Sequence, residues 1–169
     1  MPYLLCLEGH NEGEEWTVGD RPAIIGRSPQ AEAIIFDMKV SRKHARIFKN
    51  GNRHFIEDLG STNGTFVDRE KISKPTLLQN EQFFQVGDSL FLFTEVSLRQ
   101  KASSSIYQIG AAVFEKGEEY KAVMSNIVQE IIQKKKVLPP PDKQAKPGTL
   151  RWLLRGLHEE EKKEGKKGH

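Results

Sequence analysis

The strongest constraint on the fold is a close succession of short β-type runs in the first hundred residues. About nine runs, rich in apolar, aromatic and β-branched residues, are separated by segments that contain Gly, Asn, Asp or Pro. They occupy residues 3–7, 16–18, 23–25, 33–36, 45–48, 54–56, 65–67, 83–86 and 90–96. Short strands at this spacing, with no strong helical pattern among them, are typical of antiparallel sandwiches and barrels. The sequence therefore predicts an all-β domain over residues 1–97.

One of these runs is apolar on both faces. Leu90 and Leu92 alternate with Phe91 and Phe93, whereas a half-exposed strand would alternate apolar with polar residues. We therefore expect a central strand that is covered on both sides.

The pattern changes after residue 97, and residues 98–117 are interpreted as a linker. Spacings of three and four residues then relate Tyr120, Val123, Ile127 and Ile131. This spacing predicts an amphipathic helix over 118–136. Three consecutive prolines at 139–141 prevent its continuation.

Three further segments complete the C-terminal part. We predict a Pro-rich linker over 137–148, a short helix over 149–158 with Thr149 as a candidate cap, and a charged, disordered tail over 159–169. The predicted fold class is therefore an antiparallel β-sandwich or barrel followed by a short α-helical C-terminal extension.

The formal net charge of +3 combines two unlike parts. Residues 1–100 carry 12 Lys and Arg against 14 Asp and Glu, a balance of −2, whereas residues 101–169 carry 14 against 9, a balance of +5. The basic part could attract nucleic acid or an anionic membrane, with Trp152 as an apolar anchor. Three consecutive glutamates at 159–161 lie beside these cations and would repel phosphates. We therefore expect no nucleic acid and no membrane as partners.

Several classes of protein are excluded by composition. No run approaches the roughly 18 apolar residues of a membrane-spanning helix, and the first twenty residues lack the pattern of a secretory signal. The single cysteine, Cys6, cannot form an internal disulfide. We expect a soluble, intracellular protein of the cytoplasm.

Three polar segments stand out at loops or strand ends of the predicted sandwich. They are Gly26-Arg27-Ser28, Ser41-Arg42-Lys43-His44 and Ser61-Thr62-Asn63-Gly64-Thr65. Loops on a rigid sheet are where binding residues are usually placed. Arg27, Ser41 and Arg42 supply two guanidinium groups and a hydroxyl, and no acidic residue occurs in the three segments. Donors of this kind suit a phosphate dianion, so the sequence predicts an anion receptor.

In their order and spacing, these three motifs closely resemble the forkhead-associated (FHA) domain, a module that binds phosphothreonine peptides. The resemblance covers about residues 1–97 and gives no account of the remainder. It implies an eleven-stranded β-sandwich whose loops at one end bind the ligand. In place of the Gly-Asp pair that the family usually has before its penultimate strands, this chain has Asn80-Glu81, where a turn is still expected because Asn tolerates the left-handed conformation.

The resemblance also implies a set of phosphopeptide-binding residues. Arg27 and Ser41 would hydrogen-bond to the phosphate, and Arg42 would add positive charge or a peptide contact. Asn63 would bond to the peptide backbone, and Thr62 would help to line the pocket around the threonine methyl group.

Three further residues would support the site structurally. Gly26 and Gly64 would serve its geometry, and His44 would tie the binding loops together from within. The residues at two of these places also allow an interpretation that involves local structure alone. The pair Asn63-Gly64 is also a strong hairpin signal, and the Ser41 hydroxyl could simply bond to nearby backbone groups.

The predicted function is non-catalytic binding of phosphothreonine-containing peptides or proteins in signalling or assembly that depends on Ser/Thr kinases. Nucleophile-elbow and P-loop motifs are absent, and the five histidines show no metal-ligand spacing. We therefore predict no catalytic residue, metal, cofactor or small-molecule substrate. The alternative is a phosphate-independent structural or oligomerisation protein, in which residues 118–136 mediate self-association or bind a partner. Thr149, if phosphorylated, could also compete with external ligands for the site.

Overall fold

The computed structural model of the protein describes residues 1–98, 100–101 and 118–135, with side chains inside the C-terminal helix described for 126–134. The linker predicted over 137–148, the short helix predicted over 149–158 with Thr149, and the tail over 159–169 lie outside the described residues. Most of the linker predicted over 98–117 does so too. Within the described ranges, no helix combines the length and apolarity needed to cross a lipid bilayer.

Two β-sheets and one long C-terminal helix are the main elements of the described residues. The strands are β1 (Tyr3–Glu8), β2 (Glu15–Thr17), β3 (Ala23–Gly26), β4 (Ala33–Ile34), β5 (Ala45–Asn50), β6 (Arg53–Asp58), β7 (Thr65–Val67), β8 (Glu70–Lys71), β9 (Thr76–Leu78), β10 (Gln82–Val86) and β11 (Ser89–Thr94), and the helix is α1 (Glu118–Lys135). One sheet has the order β2-β1-β11-β10-β7-β8 and the other β4-β3-β5-β6-β9. Only the short β3–β4 pair is parallel among these strands. The predicted antiparallel sandwich is confirmed, with the eleven strands that the resemblance implied.

The two strands that the sequence pattern missed are β8 and β9, of two and three residues. Both residues of β8, Glu70 and Lys71, are charged, and β9 contains only two apolar residues, Leu77 and Leu78, so neither segment shows a β-type run. A two-residue hairpin places β8 beside β7, because Asp68 and Arg69 both adopt positive φ, at 47° and 74°. At the expected turn before β10, Glu81 and not Asn80 takes the left-handed conformation, with φ 60°.

The core of the sandwich lies between the two sheets. Its largest fully buried side chains include Phe84 and Phe91, whose stacked rings lie 5.1 Å apart. The facing sheet contributes Ile25, Ile47 and Ile56, each without exposed surface. Alternate inward-facing residues of both sheets thus form one continuous core.

A second apolar cluster covers the outer face of the six-stranded sheet. Leu90 and Leu92 of β11 pack there with helix α1, so β11 is covered on both sides, as its sequence predicts. The helix contributes Ile127, Val128, Ile131 and Ile132, all of which are buried. The helix predicted over 118–136 therefore spans Glu118–Lys135 and packs on its own sandwich.

This packing bears on two hypotheses drawn from the sequence, the alternative of self-association through 118–136 and the linker that begins at residue 98. The apolar stripe described on α1 is occupied within the chain, so it does not offer the free face on which helix-mediated self-association depended. Leu98, placed in a linker by the sequence, is 1% exposed and belongs to the same cluster. The preceding Ser97 hydroxyl donates to the Glu15 carboxylate over 2.6 Å. The packed unit thus extends past residue 97, because Leu98 completes an apolar surface that the local sequence does not show.

Candidate functional site

The strand register brings the three polar segments to one edge of the sandwich. In the antiparallel pairs, Ile25 of β3 lies opposite Ala45 of β5, and Ala45 lies opposite Asp58 of β6. The loops after β3, before β5 and after β6 therefore leave the sheet at the same edge. All the predicted site residues lie at this edge, in those loops or on the strand residues that border them.

Backbone hydrogen bonds hold the first two segments against each other. The Arg27 N–H donates to the Ser41 carbonyl and the Ser28 N–H to the Arg42 carbonyl, both over 3.0 Å. A Cβ atom at Gly26 would collide with the Arg42 carbonyl oxygen. Only glycine permits this close approach of two backbones.

His44 connects the second segment to the third. Its side chain has no exposed surface. Nδ1 accepts from the Ser41 N–H over 3.0 Å, and Nε2 lies 2.9 Å from the Gly64 carbonyl oxygen. Because a carbonyl can only accept, Nε2 carries the proton and the ring is in the Nε2–H tautomer. The imidazole therefore ties the loop before β5 to the loop after β6.

Asp58 organises the third segment and was missed by sequence reasoning. Its carboxylate accepts from the backbone N–H groups of Gly60 and Ser61, both over 2.9 Å, and from the hydroxyls of Ser61 and Thr65 over 2.6 and 2.7 Å. Burial would raise the pKa of Asp58, but these hydrogen bonds, led by the Ser61 hydroxyl, outweigh it and hold the pKa below its ordinary value. An Asp at the end of a strand, three residues before a Ser in a Gly-rich turn, is the only local sign of this role.

Arg27 and Asn63 are both anchored to the loop that joins β4 to β5. Nε of Arg27 donates to the Val40 carbonyl over 3.1 Å, and Nδ2 of Asn63 donates to the neighbouring Lys39 carbonyl over 2.7 Å. Both side chains are otherwise exposed. Two adjacent residues of one loop thus fix the guanidinium and the carboxamide.

Ser41 is fixed by Thr62 at the apex of the third segment. The Thr62 N–H donates to the Ser41 hydroxyl oxygen over 3.2 Å. Because this oxygen acts as an acceptor there, the hydroxyl hydrogen is left to be donated elsewhere. Ser41 is half-buried and Thr62 is exposed.

An open cavity of about 460 Å³ lies on one side of this arrangement. It is lined by Ser28, Gln30, Ser41, Arg42 and Lys43. Among the described residues of the lining there is no carboxylate, and Arg42 and Lys43 supply two cations. Arg27, Thr62 and Asn63 do not line this cavity.

Sequence reasoning had given no binding role to two of the lining residues, Ser28 and Gln30. Ser28 lies within the polar segments, whereas Gln30 carries no signal. In the described part of the chain, no three His, Cys, Asp or Glu side chains are placed to hold a metal ion.

The site and the fold can now be compared with known proteins. Residues 23–87 match the family model of the FHA domain. FhaB of Mycobacterium tuberculosis, an FHA domain-containing protein, is 39% identical over 71 residues, which cover 42% of this chain and 46% of FhaB. The FHA domain of the CT664 protein of Chlamydia trachomatis is 36% identical, with a TM-score of 0.53, covering 57% of this chain and 98% of that domain.

A third similar structure comes from a study of phosphothreonine-dependent FHA domain interactions. It is 27% identical, with a TM-score of 0.52, and the match covers 57% of this chain and 97% of that one. The chain belongs to the FHA domain family through its N-terminal sandwich. Its matched segment spans about half the length of the curated FhaB proteins.

Proposed function

We propose that the edge formed by the three loops binds phosphothreonine-containing peptides or proteins without catalysing a reaction. One observation carries the proposal. Within the described part of the chain, the side chains of Arg27 and Ser41 each make one hydrogen bond, which leaves the terminal guanidinium N–H groups and the serine hydroxyl hydrogen for a ligand. Donors fixed in advance on a rigid scaffold lose little freedom when a ligand binds.

Arg27 has the geometry to hold the phosphate. Only Nε is engaged, by the Val40 carbonyl, within the described part of the chain. The two terminal nitrogens of the guanidinium therefore retain their N–H groups, which can bind two phosphate oxygens at once. The Ser41 hydroxyl adds a further donor, and Arg42 and Lys43 add positive charge on the cavity side.

Asn63 and Thr62 suit the peptide around the phosphate. Nδ2 of Asn63 uses one of its N–H groups on Lys39, so the other N–H and the Oδ1 acceptor are left for a peptide backbone. A backbone presents both a carbonyl and an N–H, which a carboxamide matches. Thr62, held to Ser41, offers an exposed side chain beside the threonine methyl group.

Such a site serves signalling or assembly that depends on Ser/Thr kinases, since phosphorylation of the partner creates the ligand. The related structure from the study of phosphothreonine-dependent FHA domain interactions supports this ligand class. The proposal includes a cytoplasmic location for this chain, a phosphothreonine-containing partner protein, no small-molecule substrate and no cofactor. No observation favours the alternative of oligomerisation through α1, because the apolar face described there is covered.

Titration of fluorescent peptides tests the proposal directly. Three peptides with one sequence, carrying phosphothreonine, phosphoserine or threonine, are measured against the full chain by anisotropy. We expect binding of the phosphorylated forms only. The phosphoserine peptide lacks the threonine methyl group, so its affinity should be about fourfold lower than that of the phosphothreonine peptide, which corresponds to the burial of one methyl group.

Two arginine variants complete the experiment. Arg27→Ala should lower affinity for the phosphothreonine peptide by about 10-fold to 100-fold, the range for hydrogen bonds to a charged group. Arg53→Ala is the matched control, because Arg53 is an exposed arginine at the opposite edge of the same sheet. Equal affinity for the phosphorylated and unmodified peptides, or equal losses in the two variants, would refute the proposal.

A further inference from the structure

Two large apolar side chains are exposed beside the proposed site. Phe36 is 65% exposed and Met38 is 84% exposed, and both belong to the loop that joins β4 to β5. Among the described residues, the other large exposed apolar side chains are those of Met1 and Val96. Those two lie at the opposite end of the sandwich, where Tyr3 pairs with Thr94.

The exposure of Phe36 and Met38 is not the result of a loosely held loop. The Phe36 N–H donates to Oδ1 of Asn11 over 2.9 Å. Between the two apolar residues, the buried carboxylate of Asp37 accepts from the Lys39 N–H over 2.8 Å and from the Asp88 N–H over 2.7 Å. The backbone is thus fixed with Asp37 pointing inward and its two neighbours pointing to solvent.

The loop is shared with the residues that we assign to the ligand. The Lys39 carbonyl holds Asn63, and the Val40 carbonyl holds Arg27. Met38 directly precedes Lys39, and consecutive Cα atoms are about 3.8 Å apart. An extended peptide advances about 3.3 Å per residue. Side chains within about three residues of a phosphothreonine bound there can therefore reach Met38 and Phe36.

We propose that Phe36 and Met38 form an apolar subsite for a large aliphatic or aromatic side chain that flanks the phosphothreonine in the same peptide. This inference rests on the proposed function and adds a sequence preference to it. Contact with such a side chain would remove apolar surface of the phenyl ring and the thioether from water, and this burial would make the free energy of binding more favourable. The flexible methionine side chain can adapt to ligand side chains of different shape.

A peptide series measures this preference. The parent peptide carries phosphothreonine between alanines, and each further peptide has one leucine at one of the three positions on either side. With the unaltered full chain, leucine should raise affinity about tenfold over alanine at one or more of these positions. The double variant Phe36→Ser/Met38→Ser should reduce that gain to less than about twofold and leave the affinity for the alanine parent unchanged.

Val96→Ser is the matched control, because Val96 is an exposed apolar residue, 55% accessible, at the far end of the sandwich. It should retain the full preference for leucine. Absence of any leucine preference, or its persistence in the double variant, would overturn the inference. In either case, binding of the alanine parent peptide would still support the proposed function. Loss of self-association in the double variant, seen by sedimentation with peptide affinities unchanged, would assign the surface to a second copy of the chain instead. Failure of every phosphopeptide to bind would refute the proposed function itself.

Discussion

Replacement of His44 by alanine should be among the most damaging single changes at the site, although His44 has no exposed surface and need not touch a ligand. The imidazole satisfies the Ser41 N–H and the Gly64 carbonyl. An unsatisfied buried polar group costs about 1–3 kcal/mol. Gly64 is buried and cannot recruit water, whereas half-buried Ser41 partly can. With the cavity left by the ring, we expect a loss of about 4 kcal/mol.

Urea unfolding followed by tryptophan fluorescence measures this loss. With a slope of about 1.5 kcal/mol per molar urea, the midpoint should fall by about 2.7 M. His10→Ala is the matched control, because His10 is exposed in the loop between β1 and β2, and its effect should stay within about 0.5 kcal/mol. A loss of less than about 1 kcal/mol for His44→Ala would mean that both loops are held without the imidazole, and our account of their coupling would be wrong.

Two further predictions concern pH and the helix. Burial, followed by the nearby charge of Lys49, lowers the pKa of His54, so the unfolded chain binds this proton more readily than the folded one. The contribution of His54 to the free energy of unfolding should therefore be fully present above about pH 6.5 and should fall as the pH decreases from there. Urea midpoints measured from pH 8 to 5 should depend less on pH in His54→Gln than in the unaltered chain. Equal pH dependence in the two proteins would exclude His54 as the source. Ile131→Ala on α1 should cost about 2–4 kcal/mol in thermal unfolding, whereas the exposed Gln133→Ala on the same helix should cost less than about 0.5 kcal/mol. Equal effects of those two substitutions would place the helix away from the sheet.

Much of the sandwich could be predicted because strand patterns are local. Alternation, turn residues and run length depend on neighbouring residues alone, and they located nine of the strands. The strands β8 and β9 could not be found this way, because they exist only through pairing with β7 and β6. Likewise, Phe36 belongs to an apolar run in the sequence, yet it lies beyond the end of β4 and is exposed.

Part of the candidate site could also be predicted from the sequence. The residue types of the polar segments predicted an anion receptor, because guanidinium and hydroxyl donors without carboxylates suit few other ligands. The hydrogen bonds that hold those donors could not be read from the sequence. Arg27 donates to the backbone carbonyl of Val40. Every residue has such a carbonyl, so the residue type at position 40 carries no sign of this contact.

By itself, the sequence determined the class of fold and the amphipathic character of α1, and it predicted the chemical type of ligand, since each depends on residue types at short spacings. The tertiary structure decided which groups meet. It placed the apolar face of α1 on Leu90 and Leu92, made Asp58 the organiser of the third loop, and left Phe36 and Met38 in solvent on a fixed backbone. These outcomes depend on contacts between residues far apart in the chain, and no local pattern records such contacts.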